Sequence, residues 1–225
     1  MADLVVIVPT RGRPARFREM AEAALSLAEG DVEILACVDD DDPARDDYLA
    51  VQYRRMDGPR KTLSAWSNVG ADHVLDDPEP PTYLASLGDD HRPRTRGWDT
   101  KLMAAAEKVG GWAYGNDLLA GPSLPTAWVV KSEIVRTLGW LMLPACDHLY
   151  VDNAVLELGR RTNRIAYVPS VIVEHEHPLA GRTDWDESYR ETNAAERYAA
   201  DKSAFDAWAN GHGLDEDIAR IGVRW

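Results

Sequence analysis

The chain has 225 residues, of which 45% are hydrophobic and 28% are charged, a balance typical of a globular protein that builds its core within one domain. Its formal net charge of −13 argues against strong non-specific attraction to a nucleic-acid backbone. No apolar run approaches the roughly 20 residues that a membrane-spanning helix needs, and the opening Met-Ala-Asp-Leu-Val has no basic leader. Cys37 and Cys146 lie in apolar stretches, so we expect buried free thiols and a cytoplasmic protein.

The first 40 residues predict a β–α–β unit. The β-branched run at 4–9 predicts a buried strand, and a second apolar run at 32–38 predicts another. Between them, residues 14–30 place apolar side chains at helical spacing, with Pro14 suited to a first turn and Gly30 to a helix end. Two buried strands joined by a helix favour a parallel sheet with a right-handed crossover.

The remaining sequence continues the alternation of strands and helices. Helical spacing predicts four further helices, at 44–55, 62–75, 98–111 and 150–162. Apolar runs predict a strand at 82–88, strands and loops over 112–145, and two short strands within 164–178. Aromatic residues at helical intervals predict a helical tail over 186–209.

Polar residues follow several of the predicted strands, at the edge where open α/β sheets bind ligands. Thr10, Arg11 and Arg13 follow the first strand and precede a helix, which favours phosphate binding but also fits a polar turn. Asp39 ends the second strand, where it could accept hydrogen bonds from a base or ribose. Arg60 either is a surface charge or, beside a nucleotide, balances a diphosphate.

A second set of polar strand ends combines carboxylates with histidines. Asp89 and Asp90 supply hard oxygen ligands, and His175 or His177 supplies a nitrogen ligand. Residues at i and i+2 of one strand face the same side, so both histidines can point to one site. Mixed carboxylate and imidazole ligands suit Mn²⁺ or Mg²⁺ bound together with phosphate oxygens. Zinc is less favoured, because the sequence has no cysteine cluster or His-Glu-x-x-His helix.

The order of these motifs resembles that of the GT-A-type nucleotide-sugar glycosyltransferases, including small members encoded by bacteriophages of GC-rich hosts. The resemblance covers roughly residues 4–178 and rests on VVIVPTRGRP, ILACVDD, AWSNVGA, LGDDH, YVDNAVLELGRR and VIVEHEHP. It implies an α/β fold with a Rossmann-type, mixed and mostly parallel sheet, flanked by helices and followed by a C-terminal helical tail. It implies a catalytic domain at 1–180 and a helical extension at 181–225 that packs on it.

The resemblance also implies roles for single residues. In the family an acidic strand-end motif, usually Asp-x-Asp, holds a divalent cation on the donor's diphosphate, and a late histidine completes the metal shell in many members. Here Asp90 and either His175 or His177 would bind Mn²⁺ or Mg²⁺, although Gly88 stands where a first Asp would be expected. Asp152, which opens a predicted helix, matches the base of inverting members. The implied donor-binding residues are Pro9, Thr10, Arg11, Arg13, Asp39, Arg60, Asn68 and Asp89.

These assignments predict an enzyme that moves a sugar from a nucleoside-diphosphate sugar to a hydroxyl acceptor with inversion. The acceptor stays open between a hydroxymethylated base of phage DNA, a virion protein and a glycan. The cluster of Arg92, Arg94 and Arg96 beside the acidic motif keeps an anionic acceptor such as DNA in view. The alternatives are a nucleotidyltransferase of related fold, which normally carries a glycine-rich activating loop, and a non-catalytic sugar-binding module that uses its tryptophans. The location, if the protein is phage-encoded, is the host cytoplasm.

Overall fold

The computed structural model describes residues 2–48, 53–181 and 183–222. Its strands are β1 (Leu4–Thr10), β2 (Val32–Asp39), β3 (Arg54–Gly58), β4 (Tyr83–Ser86), β5 (His91–Pro93), β6 (Trp112–Asn116), β7 (Trp128–Lys131) and β8 (Ile165–His175). Its helices are α1 (Pro14–Leu27), α2 (Leu63–Leu75), α3 (Trp98–Val109), α4 (Ser132–Leu138), α5 (Val151–Thr162), α6 (Glu187–Thr192), α7 (Ala195–Asn210) and α8 (His212–Gly222). Among the described residues, no helix combines the length and apolar character needed to cross a membrane.

The eight strands form a sheet in the order β3-β2-β1-β4-β7-β6-β8-β5. β1 pairs in parallel with β2 and β4, β2 with β3, and β6 with β8, whereas β7 runs antiparallel to β4 and β6. The carboxyl ends of β1, β2 and β4 therefore meet at one edge, and β7 begins at that same edge. The predicted α/β class with a mixed, mostly parallel sheet is confirmed.

Helices cover both faces of the sheet, and each face has its own apolar core. On one face, Phe17 of α1 and Trp98 of α3 are fully buried. On the other face, Trp66 of α2 and Val155 of α5 share a core with Trp208 of the tail helix α7. Strands buried on both faces explain the nearly continuous apolar runs in the sequence.

Two predictions of local structure are wrong, and one helix was not predicted as such. The helix predicted at 44–55 is instead a short 3₁₀ turn at Arg45–Asp47 and the edge strand β3, with residues 49–52 outside the described part. The two short strands predicted within 164–178 are one strand, β8, whose pairing with β6 shifts at Gly115 and Asn116. α4 lies within the stretch at 112–145 that predicted strands and loops. At β3 and at β8, pairing with neighbouring strands outweighs the local sequence pattern.

Candidate functional site

A cavity of about 740 Å³ opens at the sheet edge where β1, β2 and β4 end. It is lined by the strand-end groups that the sequence predicts, and by the start of α5 and part of the segment before α7. The predicted site residues that line it are Pro9, Thr10, Arg11, Arg13, Asp39, Arg60, Asp89, Asp90, Asp152, His175 and His177.

Asn68 is the exception among the predicted donor-binding residues, because it is absent from the cavity lining. Its Oδ1 accepts hydrogen bonds from the backbone N–H groups of Leu141 and Met142, at 2.8 and 2.9 Å, and its Nδ2 donates to the Met142 carbonyl at 2.9 Å. The side chain thus fastens the loop before α5 to α2. Asn68 therefore positions this loop and does not line the cavity, which corrects its predicted role in donor binding.

The two carboxylates after β4 point to different partners. Asp89 accepts hydrogen bonds from the Thr10 hydroxyl at 2.8 Å and from Arg13 at 3.3 Å. Burial, together with the neighbouring charge of Asp90, raises the pKa of Asp89 to about 6. Burial also opposes the ionisation of Asp90, but its hydrogen bond with His175 and the nearby imidazole of His91 hold the pKa of that carboxyl well below its usual range. The Tyr189 hydroxyl donates to Asp90 at 2.8 Å.

Gly88 departs from the Asp-x-Asp pattern for a steric reason. A Cβ atom at this position would lie 2.5 Å from Oδ1 of Asp90 and 3.1 Å from Nδ1 of His91. The Gly88 N–H also donates to Nδ1 of His91 at 2.9 Å. A side chain at position 88 would displace the groups that form the acidic end of the cavity, so this loop cannot carry a first aspartate in its present shape.

Asp90, His91 and His175 form a group suited to a divalent cation. One potential ligand atom of each lies within 4.8 Å of the others. His91 and His175 face each other in the register of β5 and β8, with ring centroids 4.2 Å apart. Nδ1 of His175 is buried and has no hydrogen-bond partner among the described residues. This donor set of carboxylate oxygen and imidazole nitrogen fits Mn²⁺ or Mg²⁺ with phosphate oxygens completing the shell.

The sequence prediction left His175 and His177 open as metal ligands and missed His91. His177 lines the cavity, but it lies outside the cluster of ligand atoms, and its Nδ1 accepts a hydrogen bond from the Leu179 N–H at 3.2 Å. His91 could have been suspected from its place directly after the acidic pair. Its approach to His175 depends on the pairing of β5 with β8, which no local pattern indicates.

Asp39 and Arg11 occupy the part of the cavity at the end of β2. Oδ1 of Asp39 accepts hydrogen bonds from the Trp66 indole at 2.6 Å and from the Lys61 N–H at 3.1 Å, and Arg11 donates to its Oδ2 at 3.0 Å. A carboxylate has about four acceptor positions, so Asp39 keeps one for a further donor. Asp39 is buried, and these hydrogen bonds hold its carboxylate in a fixed orientation.

The segment at 183–193, which includes α6, lies across the cavity near the arginines. Asp186 accepts two hydrogen bonds from Arg13, at 2.9 and 2.6 Å, and Glu191 accepts one from Arg60 at 2.8 Å. The Arg13 guanidinium also stacks 4.0 Å from the ring centroid of Tyr189. The sequence did not predict these partners, because the contacts depend on how the tail returns over the sheet.

Asp152 lies in the first turn of α5 and is half-buried at the cavity wall. Its Oδ1 accepts a hydrogen bond from the Asn153 N–H at 2.9 Å, and burial raises the pKa of its carboxyl to about 6. The neighbouring His148 also lines the cavity, and burial lowers the pKa of its imidazole to about 4. At neutral pH the cavity wall therefore holds an ionised Asp152 and a neutral His148.

The loop that enters α5 is held by a buried carboxylate of the tail. Asp201 of α7 is 3% exposed and accepts hydrogen bonds from the backbone N–H groups of Asp147, His148 and Leu149, at 2.8, 3.0 and 2.7 Å. Tyr150, the next residue, has a left-handed backbone conformation with φ of 65°. The tail thus positions the segment from which Asp152 projects.

The cluster of Arg92, Arg94 and Arg96 does not form an open basic patch. Arg92 is buried and donates to the Asp89 and His91 carbonyls and to Glu19. Arg94 donates to Glu174 and Glu176, and Arg96 donates to Glu29. The side chains of Arg94 and Arg96 are 47% and 72% exposed, and ion pairs at such exposure are weak, so the expectation that the cluster meets an anionic acceptor stays a prediction.

No protein-family model matches the sequence, and no curated protein matches it either. Solved structures do match its fold. The mannosyltransferase PcManGT from Pyrobaculum calidifontis, in complex with GDP-Man and Mn²⁺, aligns with a TM-score of 0.57 at 10% identity over 100% of this chain and 76% of its own.

Glucosyl-3-phosphoglycerate synthase from Mycobacterium tuberculosis also matches. In complex with Mg²⁺ and UDP, it aligns with a TM-score of 0.65 at 13% identity over 93% of this chain and 80% of its own. In complex with Mn²⁺, UDP and phosphoglyceric acid, it aligns with a TM-score of 0.62 at 13% identity over 91% of this chain and 78% of its own. At these identities the likeness concerns the fold, and it confirms the GT-A-like architecture that the sequence motifs predicted.

Proposed function

We propose that this protein is a metal-dependent glycosyltransferase that moves a sugar from a nucleoside-diphosphate sugar to a hydroxyl acceptor with inversion at the anomeric carbon. The observation that carries the proposal is the composition of one cavity. It holds a carboxylate and histidine group suited to a divalent cation, several arginines, and Asp152, a carboxylate whose pKa is raised to about 6. Structural neighbours described with GDP-Man, UDP, Mn²⁺ or Mg²⁺ share the fold and support this function.

In this proposal the nucleoside lies near the end of β2 and the diphosphate lies at the ends of β1 and β4. Asp39 has one acceptor position for a base or ribose, and Pro9 and Thr10 line the wall beside it. Arg11, Arg13 and Arg60 bring positive charge to the diphosphate. Guanidinium groups suit this task because they donate paired hydrogen bonds to phosphate oxygens.

Asp90 and His175 would hold Mn²⁺ or Mg²⁺, with His91 next to them. The cation supplies electrostatic stabilisation of the negative charge that develops on the leaving diphosphate. Asp89 stays with Thr10 and Arg13, and it thereby orients the arginine toward the same charge. His177 lines the cavity, and in this proposal its side chain faces the donor.

Asp152 is the proposed general base. An acceptor hydroxyl is a weak nucleophile at neutral pH, and a carboxylate with a pKa near 6 is ionised there yet basic enough to take its proton in the transition state. In this proposal Asp152, at the cavity wall, directs the acceptor to the face opposite to the leaving group, which gives inversion. His148, which is neutral at this pH, is a hydrogen-bonding partner for the acceptor.

The acceptor is proposed as a hydroxyl of a glycan or protein, and a hydroxymethylated base of phage DNA is the alternative with the same chemistry. Arg92, Arg94 and Arg96 each donate to a glutamate, so a DNA acceptor would have to displace these pairs. A cytoplasmic location, an origin in a bacteriophage and a division at residue 180 into a catalytic domain and a helical extension stay predictions.

The test is incubation of the purified protein with UDP-, GDP- and dTDP-sugars and Mn²⁺, followed by identification of the released products. We expect a nucleoside diphosphate from one donor, loss of the reaction with EDTA, and loss in Asp90→Asn. Asp206→Asn, on the exposed face of α7, is the matched control and should keep full activity. Formation of a nucleoside triphosphate and a sugar 1-phosphate when pyrophosphate is added would instead indicate a nucleotidyltransferase, and absence of any turnover with every donor would refute the proposal.

A further inference from the structure

Residues 183–193, here called the strap, place carboxylates of the protein itself on the arginines of the cavity. Asp186 accepts hydrogen bonds from Nε and Nη2 of Arg13, at 2.9 and 2.6 Å. This is a paired edge of the kind with which a guanidinium binds phosphate. Glu191 accepts a hydrogen bond from Nη2 of Arg60 at 2.8 Å. Two of the arginines that the proposed function assigns to the diphosphate are therefore held by carboxylates of one short segment.

The strap also reaches the carboxylate that is proposed to bind the cation. The Tyr189 hydroxyl donates to Oδ2 of Asp90 at 2.8 Å, and Nε2 of His175 lies 3.3 Å from the same oxygen. Because a carboxylate oxygen has two lone pairs, a cation on this oxygen has to displace one of these partners. The Tyr189 ring also lies 4.0 Å from the guanidinium carbon of Arg13. One side chain of the strap thus contacts both the cation end and the phosphate end of the site.

The strap in this position and a bound diphosphate exclude each other at Arg13. Asp186 takes the paired edge of the guanidinium, Asp89 accepts from Nη1 at 3.3 Å, and Tyr189 covers one face of the group. A diphosphate at Arg13 would lie beside the Asp186 carboxylate, and like charges at contact distance repel each other. Binding of the donor at Arg13 therefore requires that Asp186 leaves.

The contacts that hold the strap are mainly polar. Among the strap residues whose side chains the structure describes, Tyr189 alone is buried, and the side chains of Asp186 and Glu191 are 40% and 55% exposed. Arg16 of α1 adds hydrogen bonds to the hydroxyls of Thr183 and Tyr189. Ion pairs at such exposure are weak, and segments with few buried apolar contacts open most easily, so the strap can leave while the two cores stay intact.

We propose that the strap is an autoinhibitory segment, in which Asp186 and Glu191 occupy the places of the donor's phosphates until a nucleoside diphosphate or nucleotide sugar displaces them. This inference rests on the proposed function and adds a conformational step to donor binding. The apparent affinity for the donor is then reduced by the fraction of molecules in which the strap is open. Removal of a strap carboxylate should therefore strengthen donor binding, whereas removal of a carboxylate that supports the bound donor would weaken it.

The first measurement is isothermal titration calorimetry of UDP, GDP and dTDP, with Mg²⁺ present, on wild type, Asp186→Asn, Glu191→Gln and the double variant. Asparagine keeps the oxygen that accepts the Tyr189 N–H at the start of α6. We expect each single variant to bind the preferred nucleoside diphosphate about 3- to 10-fold more tightly than wild type, and the double variant more tightly still. Asp184→Asn is the control, because it removes one charge from an exposed strap position outside both ion pairs, and it should change the affinity less than about twofold.

The outcomes separate this inference from the proposed function. Unchanged or weaker binding in both single variants and in the double variant overturns the inference, while binding of a nucleoside diphosphate by wild type leaves the proposed function standing. Failure of wild type and of the double variant to bind any of the three nucleotides overturns both.

The second measurement follows Trp185, which lies in the strap with its ring 6.0 Å from that of His177 and 6.3 Å from that of Tyr189. The protein is labelled with 5-fluorotryptophan, and the ¹⁹F resonance is assigned by its absence in Trp185→Phe. We expect the nucleoside diphosphate that binds to move this resonance, and the Asp186→Asn, Glu191→Gln double variant to move it in the same direction without nucleotide. The corresponding nucleoside, which has no phosphates, should leave it in place. An equal shift with the nucleoside, or no shift when a nucleoside diphosphate binds, overturns the inference.

Discussion

Replacing Asp152 with asparagine should separate its chemical role from its role in folding. The asparagine keeps the oxygen that accepts the Asn153 N–H, but it cannot take a proton. If Asp152 is the base, transfer should fall by about 10²- to 10⁴-fold while the dissociation constant of the donor stays nearly unchanged. Wild-type kcat/KM should rise with pH through a pKa near 6 and then level off, because only the ionised carboxylate accepts the proton.

The same substitution should increase stability at neutral pH. Burial raises the pKa of Asp152 from its ordinary value of 3.8 to about 6, so the folded state binds the proton more tightly than the unfolded state does. Stability is therefore lost as the pH rises from about 4 to about 6, and the loss is complete above that range. One pKa unit corresponds to about 1.4 kcal/mol, which sets an upper limit of roughly 3 kcal/mol, and partial exposure of the side chain reduces this toward about 1 kcal/mol.

The assay is urea denaturation of wild type and Asp152→Asn at pH 4 and pH 8, together with transfer rates at pH 8. We expect equal stability at pH 4 and a more stable variant at pH 8. Asp147→Asn is the matched control, because Asp147 lies on the same loop with its side chain 58% exposed, and it should keep its transfer rate within a few fold. Transfer by Asp152→Asn within a few fold of wild type, or a product that retains the donor's anomeric configuration, would refute the reasoning.

Four further outcomes are expected. Asp90→Asn should lose Mn²⁺ binding in isothermal titration calorimetry, and unchanged binding would exclude Asp90 as a ligand. Gly88→Ala should weaken Mn²⁺ binding at least about tenfold with little change in Tm, because its Cβ would lie 2.5 Å from Oδ1 of Asp90. Asp201→Asn should lower the free energy of unfolding by about 2–4 kcal/mol, because three backbone N–H groups lose a charged acceptor. The same variant should reduce kcat more than it reduces donor affinity. An unchanged urea midpoint would contradict this prediction. Arg94→Gln should change the acceptor KM less than about twofold at low salt, and a tenfold change would support the anionic-acceptor hypothesis.

The sequence predicts the edge of the sheet better than it predicts what covers that edge. Thr10, Asp39 and Asp90 follow apolar runs, and parallel strands bring their carboxyl ends together, so their convergence could be predicted from periodicity alone. Asp152 could be placed at a helix start for the same kind of local reason. These predictions depend on short-range sequence patterns and on the rule that parallel strands bring their carboxyl ends to one edge of the sheet.

Contacts between distant segments could not be predicted in this way. Tyr189 reaches Asp90, and Asp201 reaches the N–H groups of 147–149, through the path of the tail, which neither spacing nor composition determines. The start of the edge strand β3 was predicted as the end of a helix, because Arg54 and Arg55 carry no strand signal and pairing with β2 decides the outcome. Asn68 was assigned to the donor for its place in a motif, whereas its amide is used to hold a loop.

The net charge of −13 describes the chain as a whole, and the charge around the cavity is different. The cationic side chains that line it are Arg11, Arg13, Arg60, Lys61 and Arg197, and the carboxylates are Asp39, Asp89, Asp90, Asp152 and Glu191. Arg60 and Glu191 are each about half exposed, and such a pair contributes roughly 0–1 kcal/mol. A hydrogen bond between an arginine and a phosphate is worth about 1.5–3 kcal/mol, so a diphosphate can take over Arg60 at a net gain. Whether an anionic donor can bind therefore depends on how strongly the cavity arginines are held by their own carboxylate partners, and not on the total charge of the chain.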